Sequence, residues 1–393
     1  MNADDPSLLS AELKSEAQRL GFALAGACPA IAPPGSERFA DWLAAGYAGE
    51  MHYLVDRAAA YENPRSVLDG VRSVLMLAMV YRTSEPVSPD AGAARVSRYA
   101  WGADYHELIR DRLDSLGDFL RARCPAAKVR GVVDTAPLLE SEFARMAGLG
   151  WIGKNTLLLN KQIGSWFFLA ALLTDLELQY DSPHSADHCG TCRACLDACP
   201  TGAFVAPFVL DARRCLSYLT IELRGPIPAE LRPGIGDWLF GCDVCQEVCP
   251  WNQHETRTRE SSGEPAFQPI EGMNPVRLAE LFELDDESFR RRFRHTPLWR
   301  AKRRGLLRNA AIVLGNRPHA PAIAALVRGL NDGEPLVRGA CAWALRQYPE
   351  PAAAEAIARR LPIETDADVL AELGGDRKIT SSLHPLPVRE RAG

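Results

Sequence analysis

The sequence predicts a multidomain α+β protein with an N-terminal α/β unit, a small cysteine-rich module and an all-helical C-terminal part. Three observations carry this. Eight of the eleven cysteines fall between positions 189 and 249. Ahead of them, helical periodicity alternates with short apolar runs; behind them, only helical periodicity continues, with a weak internal repeat. The 393 residues suffice for two or three domains of ~100–200 residues each.

Residues 1–180 form the α/β unit. Helical spacing runs through Ser10–Leu20, and SVLMLAMV (73–80) reads as a buried strand. Tyr105–Leu120 repeats apolar residues at helical spacing, and VRGVV (129–133) is a further short strand. The glycine-punctuated stretch GLGWIGKNTLLLNKQIGS (148–165) permits backbone turns close to a ligand. The strand candidate Trp166–Leu173 then leads into the cysteines.

Residues 181–255 form the cysteine module, a small fold expected to be held mainly by metal. The polar run Gln253–Gln268 reads as a linker, leading into a connector assigned to 256–288. Residues 289–380 are helical. Leu307-Arg308-Asn309-Ala310-Ala311 realigns with Val337-Arg338-Gly339-Ala340-Cys341 at a period of 30, which suits paired-helix repeats of the HEAT type or an ordinary bundle. Residues 381–393 are an expected tail.

With 45 basic and 50 acidic side chains, the chain carries a net charge of −5; 47% of it is apolar and 24% charged, which excludes a mostly disordered protein. Its longest strongly apolar stretch, SWFFLAALLT, is about half the ~20 residues of a membrane-spanning helix. The start, MNADDPSLLSAELKSE, has neither the basic and apolar regions of an export signal nor a twin arginine, so a cytoplasmic location is expected. No coiled coil demands a dimer, and a monomer is expected.

The first cysteine run is Cys189-x2-Cys192-x2-Cys195-x3-Cys199-Pro200. This is the bacterial ferredoxin spacing, in which three thiolates hold one cubane and the fourth, ahead of the proline, reaches the other cluster. The second run, Cys242-x2-Cys245-x3-Cys249-Pro250, lacks one cysteine, and Cys215 is the unassigned one in the region. The crossed geometry therefore assigns Cys189, Cys192, Cys195 and Cys249 to one [4Fe–4S] cluster. Cys199, Cys215, Cys242 and Cys245 go to the second. Two structural zinc sites are the alternative, although zinc usually separates its cysteine pairs by a longer loop.

Asp134 follows the strand 129–133, at the end of a strand where α/β sheets place ligands. Partly desolvated, it could keep a proton near neutral pH and act as a general acid. Alternatively, Asp134 or Thr135 caps a helix that has Pro137 in its first turn. The donor- and aromatic-rich segment SRYAWGADYH (97–106) could line a polar-edged cofactor or cap a helix through Asp104. No Asp-x-His-x-x-Gly, Gly-x-Gly-x-x-Gly or phosphate-loop motif occurs. From Arg290 to Arg308 there are nine basic residues and no acidic ones, interleaved with Phe289, Phe293 and Trp299. Such a run suits phosphate binding and base stacking, or a solvated helix face.

The segments SRYAWGADYH, VVDTAPLLE and GLGWIGKNTLLL resemble the epoxyqueuosine reductase family. So do the eight-cysteine module, LDARRCLSYLTIELRGPI (210–227) and FGCDVCQEVCPWN. Their order and spacing cover most of residues 45–255, with a weaker match through the helical part. The resemblance implies an N-terminal cobalamin-binding catalytic domain, a module with two [4Fe–4S] clusters and a HEAT-like tRNA-binding domain. It implies reduction of epoxyqueuosine to queuosine at the wobble position of tRNA, the last step of queuosine synthesis, with an unidentified electron donor. By motif, Asp134 becomes the proton donor. Arg57, Ser97, Tyr105, Lys154, Asn155 and Ser165 become neighbours of the corrinoid or the modified base. Arg65 and Arg72 lie in a family-like stretch or are surface charges.

Two rival readings remain at this level. Reductive dehalogenases also pair a corrinoid with two clusters, but commonly carry a twin-arginine signal and have no reason for a basic helical C-terminal domain. A ferredoxin-type electron carrier would leave the first 180 residues without a task.

Overall fold

The computed structural model describes residues 5–253 and 263–374. The expected tail, and residues 254–262 of the polar linker, lie outside them. Four strands form the central sheet, in the order Leu24–Pro29, Ser73–Val80, Phe167–Thr174 and Val129–Val132. Ser73–Val80 lies inside the sheet and is buried along its whole length, so its sequence reads as an unbroken apolar run. The period of two divides it between two cores. Leu75, Leu77 and Met79 pack with Leu13, Ile109, Leu113 and Leu116 from helices Pro6–Arg19 and Tyr105–Arg123. Val74, Met76 and Ala78 pack with Phe143 and Met146 of the short helix Glu140–Met146. Gly131 admits the long helix closely; a Cβ there would sit 2.8 Å from Leu113 Cβ.

Every pairing in this sheet is antiparallel. Asp134 therefore does not lie at the ligand edge of a parallel sheet. The helix after Asp134 begins only at Glu140 and has no side-chain cap, so Asp134 does not cap it either. Asp104 does cap: its carboxylate accepts the His106 N–H at 2.9 Å, at the start of Tyr105–Arg123.

The cysteine module is not held by metal alone. Its strand Trp238–Phe240 pairs in parallel with Ala93–Val96, which also pairs antiparallel with Val276–Arg277. One apolar core continues from Ala94 and Trp101 through Leu219, Leu239 and Phe240 to Leu306 and Ala310. The connector is likewise built in. Phe267 enters the core on the sheet, and Met273, Val276 and Leu278 enter the larger one.

The two repeat copies fall on helices Lys302–Asn316 and Pro335–Leu345, with Ile323–Leu330 between them and Pro351–Arg360 and Ala367–Gly374 after them. Their matched arginines are both buried. Arg338 forms a fork with Glu364 at 2.8 and 2.9 Å. Arg308 donates to the carbonyls of Leu219, Leu223 and Gly225, binding the helical part to the cysteine module.

This corrects the reading of the basic run. Phe289 and Phe293 are 3% and 1% exposed and cannot stack on bases, because they form the inner face of helix Asp286–Phe293. Arg308 is internal, and Arg303 is taken by Asp332 and the Leu284 carbonyl. Removing the Arg308 guanidinium leaves the buried Leu219 carbonyl and the part-buried Leu223 and Gly225 carbonyls short of a donor, at up to about 1–3 kcal/mol each. Arg308→Ala is therefore expected to lower unfolding free energy by ~3 kcal/mol in urea titrations; an unchanged midpoint would contradict this structural role.

Candidate active site

Cys189, Cys192, Cys195 and Cys249 line one cavity of about 250 Å³, together with Lys154, Asn155, His188 and Trp251. Cys249 thus stands with the first run although it is only four residues from Cys245. A four-thiolate zinc site closes on a single ion at ~2.3 Å, whereas this space has room for a cluster. The other four thiols form a second group. Burial raises the Cys242 thiol, and Cys215 and Cys199 nearby raise it further. Burial raises Cys245 too, with Cys242, Cys215 and, from the first group, Cys195 adding to it. The two groups abut.

Buried polar contacts fix the second run against the sheet. Asp243 accepts the Ser97 hydroxyl and, at 2.8 Å, the Arg98 N–H. Gln246 Nε2 donates to the Ser165 carbonyl at 3.0 Å. Asn252 Nδ2 donates to Ser165 Oγ at 2.9 Å, and its Oδ1 accepts the Ser165 N–H at 2.8 Å. Gly164 has φ +68°, and any Cβ there would collide with Asn252 Oδ1.

The glycine-punctuated stretch folds as a hairpin, Trp151–Ile152 against Leu158–Leu159. Lys154, in its turn, donates to the carbonyls of Gly190 and Cys192. Asn155 reaches the Cys245 carbonyl at 3.5 Å. Trp151, Ile152 and Thr156 line a second cavity of about 790 Å³, whose walls also include Phe39, Trp42 and Phe208. One hairpin therefore borders both spaces. Trp151 Nε1 and His184 Nε2 are buried on this second cavity with no hydrogen-bond partner among the described residues. Buried polar atoms are normally paired, so these two call for acceptors or donors from a bound molecule. The volume lies within the ~300–1,000 Å³ usual for small-molecule and cofactor sites.

Asp134 has φ +59°, a left-handed conformation that aspartate tolerates better than most residues. Its N–H donates to Glu140 Oε1 at 2.9 Å. Its Oδ2 accepts the Tyr105 hydroxyl at 3.0 Å and lies 3.1 Å from His106 Nε2. The side chain stays 61% open, so an incoming molecule can reach it. Tyr105 is stacked between Phe168 and His106, with ring centroids 4.1 and 4.0 Å apart.

The electrostatics reverse one expectation. The His106 hydrogen bond holds the Asp134 carboxyl below its ordinary range, outweighing desolvation, with the His106 charge, the Tyr105 hydroxyl and Arg300 adding to the lowering. Asp134 is therefore a carboxylate at neutral pH and not a group that keeps its own proton. Protons rest on its neighbours. Burial opposes a charge on His106, but hydrogen bonds to Asp104 and Asp134 raise it to about 9. Burial, then the Asp134 charge, raises Glu140 to about 8.

The expected cofactor neighbours divide. Tyr105 touches Asp134, and Arg57 donates to the Thr135 carbonyl at 3.1 Å. Lys154 and Asn155 stand beside the cysteine cavity. Ser97 and Ser165 are buried with their hydroxyls engaged by Asp243, Gln246 and Asn252, so here they anchor the second cysteine run. Arg65 is exposed and Arg72 pairs with Glu177 at the surface. His106 and Glu140 escaped sequence reasoning, although Asp104-x-His106 at a helix start is a readable signal.

The abutting thiol groups and the cavity beside them define a two-cluster iron–sulfur protein, and residues 188–252 match the 4Fe-4S double cluster binding domain. Residues 62–135 match the family described as epoxyqueuosine reductase QueG, and residues 300–374 match HEAT repeats. The epoxyqueuosine reductase of Pseudomonas aeruginosa is 43% identical over 89% of this chain and 97% of that protein. That of Escherichia coli is 38% identical over 88% and 91%. The chain belongs to the epoxyqueuosine reductase family. A solved epoxyqueuosine reductase with a tRNA-Tyr epoxyqueuosine-modified stem loop superposes with TM-score 0.85 at 30% identity, covering 93% of this chain and 97% of that one. The Bacillus subtilis enzyme, solved with an aspartate catalytic loop swung out of the active site, superposes with TM-score 0.85 at 29% identity over the same shares.

The cysteine grouping predicts crossed losses. Cys249→Ala is expected to remove the cluster of the first run and halve the iron from about eight to about four per chain, leaving the electron paramagnetic resonance signal of the other. Loss of the Cys242–Cys245 cluster instead would break the crossed assignment.

Proposed function

We propose that this protein reduces epoxyqueuosine in tRNA to queuosine, using two [4Fe–4S] clusters and cobalamin. The observation that carries this reading is the hairpin Trp151–Leu159, which borders the four-cysteine cavity with one set of side chains and the 790 Å³ cavity with another. Family membership supplies the substrate.

The reaction turns an epoxide into an alkene and water, taking up two electrons and two protons. Clusters pass electrons singly, and bound cobalamin supplies a reduced metal centre suited to the carbon chemistry. Arg57, Tyr105, Lys154 and Asn155, with the walls of the larger cavity, would hold it. The unpartnered Trp151 and His184 nitrogens fit a ligand with polar edges. Asp134 has the position of the group that delivers a proton to the departing oxygen. Its open, left-handed loop parallels the aspartate loop that swings in the Bacillus subtilis relative. Family likeness and the HEAT match disfavour an electron carrier.

Lys302 and Arg304 of the basic run would be its anion-binding part, beside Arg224 from outside the run and Arg300, which Glu222 holds at 2.9 and 3.0 Å. Arg224 donates to the Arg300 carbonyl at 2.9 Å, and Arg300 adds its charge to the field at Asp134. Burial, then the Arg224 and Arg300 charges, lowers the Lys302 pKa, with Glu222 paired to both arginines. An RNA backbone on this patch would bring an unpaired base towards Asp134.

The direct test is an anaerobic assay on tRNA containing epoxyqueuosine, with nucleoside mass analysis, with and without cobalamin. A product lighter by one oxygen, formed only with cobalamin, is expected; no conversion by iron- and cobalamin-replete protein would overturn the reading. Replacing Lys302 and Arg304 by Glu is expected to weaken tRNA binding and reduce the salt slope of log K by ~1–2. An unchanged slope would remove the patch from the interface.

A further inference from the structure

We infer that His106 is the proton source that loads Asp134, held in that role by Asp104. The inference rests on the reading of Asp134 as the donor to the substrate oxygen and deepens it, because an ionised Asp134 has no proton of its own to give.

The geometry is a three-membered line. Asp104 Oδ1 lies 2.8 Å from His106 Nδ1, and His106 Nε2 lies 3.1 Å from Asp134 Oδ2. With both ring nitrogens facing carboxylates, the imidazolium form satisfies both contacts. A neutral ring would leave one of them facing an acceptor without a hydrogen. The ring sits in the first turn of helix Tyr105–Arg123, where the helix dipole disfavours a cation, so the two carboxylates must outweigh it. Asp104 has a second task there, capping the helix, which fixes it against the ring. Tyr105 stacks on the imidazole and shares Asp134 Oδ2 with it, so all three side chains are held in register.

The other groups around the ring leave His106 as the donor. Glu140 also faces it, but its carboxyl contacts the Asp134 backbone N–H, one peptide removed from the carboxylate. Arg300 acts on Asp134 and Arg110 on Asp104 through space, and both are permanent cations. The step relays one proton through two transfers. The His106 Nε2–H bond breaks and an O–H bond forms on Asp134; as the substrate C–O bond breaks and charge develops on oxygen, Asp134 passes that proton there and returns to the carboxylate, leaving a neutral imidazole still donating from Nδ1 to Asp104. Solvent then reprotonates Nε2.

His106 touches Asp134 and not the substrate, so it is a positioning and proton-supplying residue, and the test reads more than turnover. In labelled-histidine NMR, His106 is expected to titrate near 9 in the wild-type protein and to fall towards the ordinary ~6.5 in Asp134→Asn. A wild-type His106 titrating at the ordinary value overturns the inference. In single-turnover assays, the wild-type rate should stay level through neutral pH and fall above about 9. His106→Gln should lower the rate at pH 8 by ~10-fold or more and lose rate with every rise in pH, because Asp134 must then be protonated from solvent. Its tRNA affinity should be unchanged. A His106→Gln protein with the wild-type rate and profile overturns the proton-source role while Asp134→Asn is inactive. An Asp134→Asn protein with normal turnover overturns the donor reading itself, and this inference with it.

Discussion

The buried anchoring of the second cysteine run is the constraint on which the rest depends. Four thiols from different stretches of chain meet around one space only if Cys249 is carried across to the first run. That crossing is enforced by side chains between and after the cysteines. Asp243, Gln246 and Asn252 are each fully engaged with Ser97, Arg98 or Ser165, residues of the N-terminal unit. Buried polar groups of this kind contribute little net stability when satisfied and cost ~1–3 kcal/mol each when broken. Their effect is therefore on register. They admit one placement of the cysteine loop on the sheet, and with it one placement of the hairpin that borders both cavities.

The acid–base group is positioned by a different device. The sheet's core fixes helix Tyr105–Arg123 through Ile109, Leu113 and Leu116. That rigid element presents Tyr105 and His106 to Asp134, which itself lies on an open loop. The reactive carboxylate thus rests beside a stiff support, with the charge pattern (Asp104, His106, Asp134) set by one helix start and one turn. The patch proposed for RNA meets the same region through Arg300, whose charge acts on Asp134.

The sequence was most legible where spacing alone determines chemistry. The ferredoxin spacing picked out seven of the eight clustered cysteines and left Cys215 to complete the count, and the all-buried run 73–80 and the repeat at 307 and 337 fell on the elements expected of them. It misled where burial decides. Phe289, Phe293 and Arg308 looked like an exposed nucleic-acid surface because period and charge do not reveal which helix face is covered. Nor does local sequence show that the Ser97 and Ser165 hydroxyls are engaged by a distant carboxylate and distant amides. Asp134 drew attention as a proposed reactive position, but its ionisation was not legible, because it depends on a histidine 28 residues away in sequence.

The most direct test of this account is magnetic. Reduced, oxygen-protected protein should contain two [4Fe–4S]⁺ centres whose resonance lines are split by spin–spin interaction, since the two thiol groups abut. Two isolated, uncoupled signals, or a single cluster accompanied by zinc, would contradict the arrangement from which the electron route, the cofactor cavity and the function were argued.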